Sequence, residues 1–320
     1  MESESPALVQ PVPKTPSSWK VRLVIGFTTF FVLLGLFVAF NYQPGAFVTA
    51  LTMPSGLKSA TFISTTRTTT TLYRLSGFSF TSETLPGTLI SADERAPNSA
   101  QIILDAEGKY TLYLNGKSMY ATTSSLAGVS VSPDGNSIAF AHSKTALVPR
   151  EMPQLIPMTW FDSRMWQVTS LSLKTGVYTS IGTGSAPLFI DDTHLLRVAP
   201  GAILVTDVTT NQQSAVSPGV FYRAPVSVLQ SPDRTLIGWE NNPVKTISIY
   251  KTSARGVELV ATMPYSGSGV YALGNDGLYI AHASPFGGGV WKQGFTDKKP
   301  HKVGFLSSAY FITRIATGSL

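Results

Sequence analysis

The chain has 320 residues, no cysteine and a formal net charge of +6. Without thiols, neither a disulfide nor a thiolate zinc site can form. The mild basicity suits a soluble surface with a slight Lys and Arg excess, or contact with anionic polymers and lipid head groups; no nucleic-acid partner is expected.

Residues 1–19 hold Glu, Ser, Pro, Gln and Lys with almost no aromatic content, and they read as a disordered cytoplasmic tail. A transmembrane signal-anchor helix is expected over 20–42. Lys20 and Arg22 abut the apolar run Leu23–Phe40, and no charge recurs until Lys58. As a helix that run spans about 27 Å, enough to cross a bilayer core. Pro44-Gly45 ends it. A cleaved signal peptide is the alternative, but the run is long, Val38-Ala39-Phe40 is a poor cleavage site and Val48-Thr49-Ala50 lies too far on. Lys14, Lys20 and Arg22 precede the span and only Lys58 follows closely, which keeps the tail inside and exports the rest. The expected protein is single-pass in the cell membrane, touching lipid through residues 23–40, with its bulk in the periplasm or at the cell surface. Residues 43–58 read as a linker containing Pro44, Gly45, Pro54 and Gly56, and 59–320 as the exported domain.

The Thr-rich stretch Thr61–Leu72 reads as a strand, since Thr is β-branched and Phe62, Leu72 and Tyr73 bracket it. Ser99–Leu104 and Tyr110–Leu114 form a hairpin, and Asn115-Gly116 turns into Met119–Ala121. The strongest signal is Val131–His142, a strand, the turn Ser132-Pro133-Asp134-Gly135, and a second strand through Ile138-Ala139-Phe140. Pro presets φ, the Asp side chain bonds the backbone ahead, and Gly accepts positive φ. The unit recurs at Phe189-Ile190-Asp191-Asp192, at Ser231-Pro232-Asp233-Arg234 and at Gly274-Asn275-Asp276-Gly277. Asp192, Asp233 and Asp276 step by about 42 residues, whereas Asp134 to Asp192 is about 58, so that unit carries an insertion. Second strand pairs follow, as at Trp166–Leu171 before Lys174-Thr175-Gly176, at Ile203–Val208 before Thr209-Thr210-Asn211, and at Ile247–Tyr250. A fixed period in the forties with this content specifies an all-β fold, a single β-propeller of about six blades, with seven as the alternative. Either Thr61–Leu72 or Tyr310–Ile315 is expected to close the ring.

The run Ser132-Pro133-Asp134-Gly135-x-x-Ile138-Ala139-Phe140, followed by a strand and a Lys-Thr-Gly turn, resembles the repeat of TolB-type β-propellers. Those are bacterial envelope domains, distantly similar to WD-repeat propellers. The resemblance covers roughly residues 100–306 and implies the fold and an envelope setting; it says less about partners. It carries over no residue role, because the motif is a structural turn.

The insertion Lys144–Met165 contains Pro149, Pro153 and Pro157, which forbid a regular helix. Its Met152, Leu155, Ile156, Met158, Trp160 and Phe161 form a candidate partner-binding loop; the competing reading folds it back over a blade or the channel. Ser284–Gly289 reads as a flexible hairpin tip. Trp239 and Glu240 are a candidate ligand-binding pair, and Asp162 is the other acid beside aromatics. A glycosidase needs two carboxylates at a set separation, and nothing selects a pair. His142 and His282 stand at equivalent strand ends and read as structural rather than metal-binding. No G-x-S-x-G elbow, H-E-x-x-H, P-loop or EF-hand pattern occurs. The expectation is a non-enzymatic interaction and scaffolding module of the cell envelope, without cofactor; the alternative is a propeller that binds or processes a glycan or peptide.

Overall fold

The computed structural model describes residues 18–42, 49, 51–66, 68–77, 79–95, 97–143, 163–217, 228–241, 246–264, 269–282, 288–306, 312 and 314–316. The first element is a helix, α1 (Ser18–Tyr42). Leu23, Val24, Phe27, Phe30, Phe31 and Leu34 all lie on its exposed surface, so apolar groups cover every face. Among the described residues, no helix is long and apolar enough to cross a membrane. The side chains of α1 are described as far as Leu36, short of the expected Leu23–Phe40 span.

The rest is mainly strands, with short 3-10 turns at Ser55–Leu57 and Ser163–Met165. β1 (Thr61–Thr65), β2 (Thr69–Ser76) and β3 (Ser79–Pro86) open the domain. Next come β4 (Thr88–Asp93), β5 (Ala100–Leu104), β6 (Tyr110–Leu114) and β7 (Lys117–Thr122), then β8 (Leu126–Val131), β9 (Ser137–Ser143), β10 (Trp166–Ser172) and β11 (Tyr178–Thr183). β12 (Ser185–Phe189), β13 (His194–Ala199), β14 (Ala202–Asp207) and β15 (Gln213–Ser217) follow, then β16 (Leu229–Gln230), β17 (Leu236–Asn241), β18 (Thr246–Ser253) and β19 (Gly256–Pro264). The chain continues through β20 (Val270–Gly274), β21 (Gly277–His282), β22 (Gly288–Gln293) and β23 (His301–Leu306) to β24 (Arg314–Ala316).

Among the described residues these strands make six four-stranded antiparallel sheets, the six blades of a propeller. Blades 2 to 6 are consecutive quartets beginning at β4, β8, β12, β16 and β20. Blade 1 is assembled from both ends of the domain, in the order β24-β1-β2-β3. Phe62 pairs with Ile315 and Ile63 with Arg314. The two segments expected as rival closures therefore pair with each other, which leaves no open seam at the ring's joint.

Burial follows position in the blade. The inner strand β8 is buried at every residue, whereas the outer strand β3 is mostly exposed. Inner strands crowd near the axis, so β8 and β12 carry small residues such as Ala127, Ser130 and Ala186. Six apolar clusters lie between successive blades. Each fully buried side chain in them, such as Phe140 or Trp166, contributes about 1.5–3 kcal/mol of transfer free energy. The cluster between blades 1 and 2, built on Ile63, Leu72, Leu89 and Ile103, is the smallest.

Two local readings change. The Thr-rich stretch is two strands, with Thr66 turning the chain by accepting the Thr69 N–H on its Oγ1 at 3.0 Å. The second part of the expected 43–58 linker belongs to the core, where Met53 and Leu57 pack with Phe62, Tyr279 and Leu306. The Asn115-Gly116 turn has φ of 49° and 77°, the left-handed pair that a two-residue hairpin demands.

Candidate functional site

In blades 2 to 6 the hairpin between the first and second strand opens on one end of the ring, because successive strands alternate in direction. The Ser132–Ser137 turn sits there. The Ser132 hydroxyl donates to Asp134 Oδ1 at 2.6 Å and accepts the Ser137 N–H at 2.9 Å. The hydroxyl bond from Ser132 is the main cause that holds the Asp134 pKa below its usual value. Blade 5 repeats the arrangement with Ser231, Asp233 and the Leu236 N–H. Where blade 3 has Gly135 at φ 68°, blade 5 has Arg234 at φ 66°.

In blade 4 the capping role belongs to Asp191, which accepts the N–H groups of Thr193 and His194 at 2.9 and 2.7 Å. Asp192, read from the spacing as the turn former, instead accepts the Asp134 N–H of blade 3 at 2.8 Å. Asn275 accepts the Asp233 N–H in the same way at 3.4 Å, and Asn98 of blade 2 donates to the Gly135 carbonyl at 2.8 Å. These links make a partial belt around the axis, between blades 2 and 3, 3 and 4, and 5 and 6. Asp276 does neither job: it takes Lys292 Nζ at 2.5 Å and the Tyr279 hydroxyl at 3.0 Å.

Inside that belt lies the axial mouth, filled by polar side chains from opposite blades. Asp93, fully buried at the end of β4, accepts Arg95 Nε on one oxygen and Arg95 Nη2 on the other, both at 2.6 Å. It also accepts the Val131 N–H at 2.9 Å. Arg95 crosses to blade 5 and donates to Gln230 Oε1 at 2.6 Å. From blade 5, Arg234 donates to the Val131 carbonyl at 2.6 Å. Burial, with repulsion from Arg95, pushes the Arg234 pKa down to about 10, so it stays charged at neutral pH. Arginines tie blades elsewhere too: the buried Arg197 of blade 4 donates to the Thr183 carbonyl of blade 3, and the half-buried Arg314 of blade 1 to the Ile90 carbonyl of blade 2 at 2.7 Å. A chain without disulfides joins its blades by guanidinium groups that satisfy backbone carbonyls.

Beside the mouth, between blades 1 and 2, is a cleft of about 580 Å³. Arg74 on β2 donates to Glu83 at 2.8 Å and to Glu94 at 2.7 Å. Gln101 on β5 donates to the other oxygen of Glu94 at 2.7 Å. Burial works against the Arg74 charge, but the bonds from both carboxylates outweigh it and hold its pKa above the usual value. Among the described residues no cluster of His, Cys, Asp and Glu could hold a metal ion.

Of the residues singled out in the sequence, Met152, Leu155, Ile156, Met158, Trp160, Phe161 and Asp162 are outside the described residues. Of Trp239 and Glu240 the backbone is described, paired with Ser248 and Ile247 in blade 5. His142 is half-buried in blade 3, where desolvation lowers its pKa, and His282 meets Trp291 edge-to-face at 5.2 Å in blade 6. Those blades face each other across the ring. Sequence reasoning missed Asp93, Glu94 and Arg95. Three adjacent charges in a chain only 13% charged were the available signal.

No protein-family model matches the chain, and neither does any curated protein. Solved structures similar to it include TolB from Acinetobacter baumannii, at 13% identity over 77% of this chain and 69% of that one, with a TM-score of 0.40. The Cps50 (Swd1) β-propeller domain from Myceliophteria thermophila is similar at 10% identity over 80% and 85%, with a TM-score of 0.48. A chain of a nidogen/laminin complex is similar at 9% identity over 80% and 97%, also with a TM-score of 0.48. The six-bladed ring is the all-β propeller expected from the blade repeat.

Proposed function

We propose that the chain is a membrane-anchored, extracytoplasmic β-propeller that acts as a protein–protein interaction and scaffolding module of the cell envelope, with no catalysis of its own. The axial mouth carries this reading. Asp93, Arg95, Gln230 and Arg234 fill it and bond to one another and to the backbone. A substrate entering there would have to break a buried ion pair, at a cost of about 3–5 kcal/mol. The rim is then the surface offered to partners, and Met152, Leu155, Ile156, Met158, Trp160 and Phe161 of the insertion supply apolar anchors for one.

Anchoring rests on α1. A helix with Lys20 and Arg22 in its first turns, charge-free over Leu23–Phe40 and with apolar groups on every face, suits a lipid environment better than water. The test is chemical crosslinking in intact membranes, with the full chain and with a variant lacking residues 144–161. The full chain is expected to capture an envelope protein that the variant loses while its fold is kept. Capture unchanged in the variant removes the loop from the reading, and no capture with the full chain overturns the reading itself.

A further inference from the structure

We propose that the cleft between blades 1 and 2 is a binding site for an uncharged, hydroxyl-rich ligand, a short neutral oligosaccharide. The inference stands independently of the membrane anchor and the rim partner. At about 580 Å³ the cleft lies within the range of small-molecule sites, roughly 300–1,000 Å³. It opens where the apolar packing between blades is thinnest, so polar groups line it where other blade pairs bury aliphatic side chains.

Its chemistry selects the ligand class. Arg74 spends one N–H on Glu83 and one on Glu94, out of the five that a guanidinium carries. Glu83 uses one oxygen on Arg74 and is half-exposed (52%). Donors and acceptors therefore alternate along the wall. A hydroxyl, which donates and accepts at once, can bridge a guanidinium and its neighbouring carboxylate. An anion finds no uncompensated cation, because Arg74 faces two carboxylates and Arg95 is turned inward onto Asp93. Both Glu94 oxygens are already taken by Arg74 and Gln101, which leaves a cation only the half-exposed Glu83. Leu85, Ile103 and Tyr113 add apolar surface for the C–H faces of a sugar. A peptide is less well served. Arg74, Gln101 and Tyr113 sit on β2, β5 and β6, which are paired on both sides, and the edge strand among the lining, β3, ends at Pro86, which has no N–H to offer a peptide backbone.

The test is a printed array of neutral glycans, acidic glycans and uncharged peptides, probed with the purified full chain, with Glu83→Gln and with Tyr113→Ala. Neutral glycans are expected to be retained. Glu83→Gln should weaken them about tenfold, the loss of one charged hydrogen bond, with its thermal midpoint kept. Retention of acidic glycans or peptides instead, of no glycan, or of neutral glycans equally by both variants would overturn the proposal.

Discussion

The backbone N–H of Asp134 donates to the carboxylate of Asp192 at 2.8 Å, joining the corners of two successive blades across 58 residues of sequence. Blade 6 fills the corresponding place with Asn275, which accepts the Asp233 N–H. A carbonyl oxygen is thus sufficient for the link and a charge is not required. Asp192→Asn should keep stability near wild type, whereas Asp192→Ala should cost about 1 kcal/mol. Denaturant midpoints of the two variants check this; equal losses would show that the charge, rather than the hydrogen bond, does the work.

Arg234 holds a left-handed backbone conformation that Gly135 adopts without strain. In a residue with a Cβ that conformation costs about 1–2 kcal/mol. The buried bond from its guanidinium to the Val131 carbonyl contributes about 1.5–3 kcal/mol in return. Arg234→Gly removes the strain and the bond together, so a net loss of about 1 kcal/mol is expected in urea unfolding. A gain in stability would mean that the arginine braces nothing.

Asp93 is the acceptor on which the axial network converges. Asp93→Ala leaves Arg95 buried without its counter-charge and should cost about 3–5 kcal/mol. Replacing Asp93 and Arg95 together should cost less than the sum of the single changes. A double-mutant cycle on thermal or urea midpoints reads the coupling, and additive losses would contradict it.

In the outer turn of blade 4, the Thr209 hydroxyl and N–H donate to Asp207 and hold its pKa at about 2, against 3.8 for the free side chain. A depressed folded-state pKa gives stability that is complete above about pH 4 and lost as pH falls through about 2. Wild type should therefore exceed Asp207→Asn in stability at pH 6, and the gap should close toward pH 2. A gap independent of pH would show that the carboxylate is not the stabilising species.

The blade repeat was legible because its turn chemistry is local: Ser132-Pro133-Asp134-Gly135 carries hydroxyl, fixed φ, carboxylate and glycine in four consecutive positions. Spacing could not tell Asp191 from Asp192, since one caps its own turn and the other reaches a neighbouring blade. The Thr66 turn was hidden because a hydroxyl makes it, without Gly or Pro to announce it. The cleft and the axial mouth were out of reach for a different reason. They join Arg74, Glu94, Arg95 and Gln230, from three blades, and only ring closure brings those positions together.

The measurement that bears most directly on the anchored-propeller account exploits the absence of native cysteine. Ser82→Cys places a thiol on the exposed outer strand β3, and Ser5→Cys places one in the tail. Intact cells are treated with a membrane-impermeant maleimide. The account predicts labelling of Ser82→Cys in intact cells and of Ser5→Cys only after lysis. Ser82→Cys protected until lysis would contradict it.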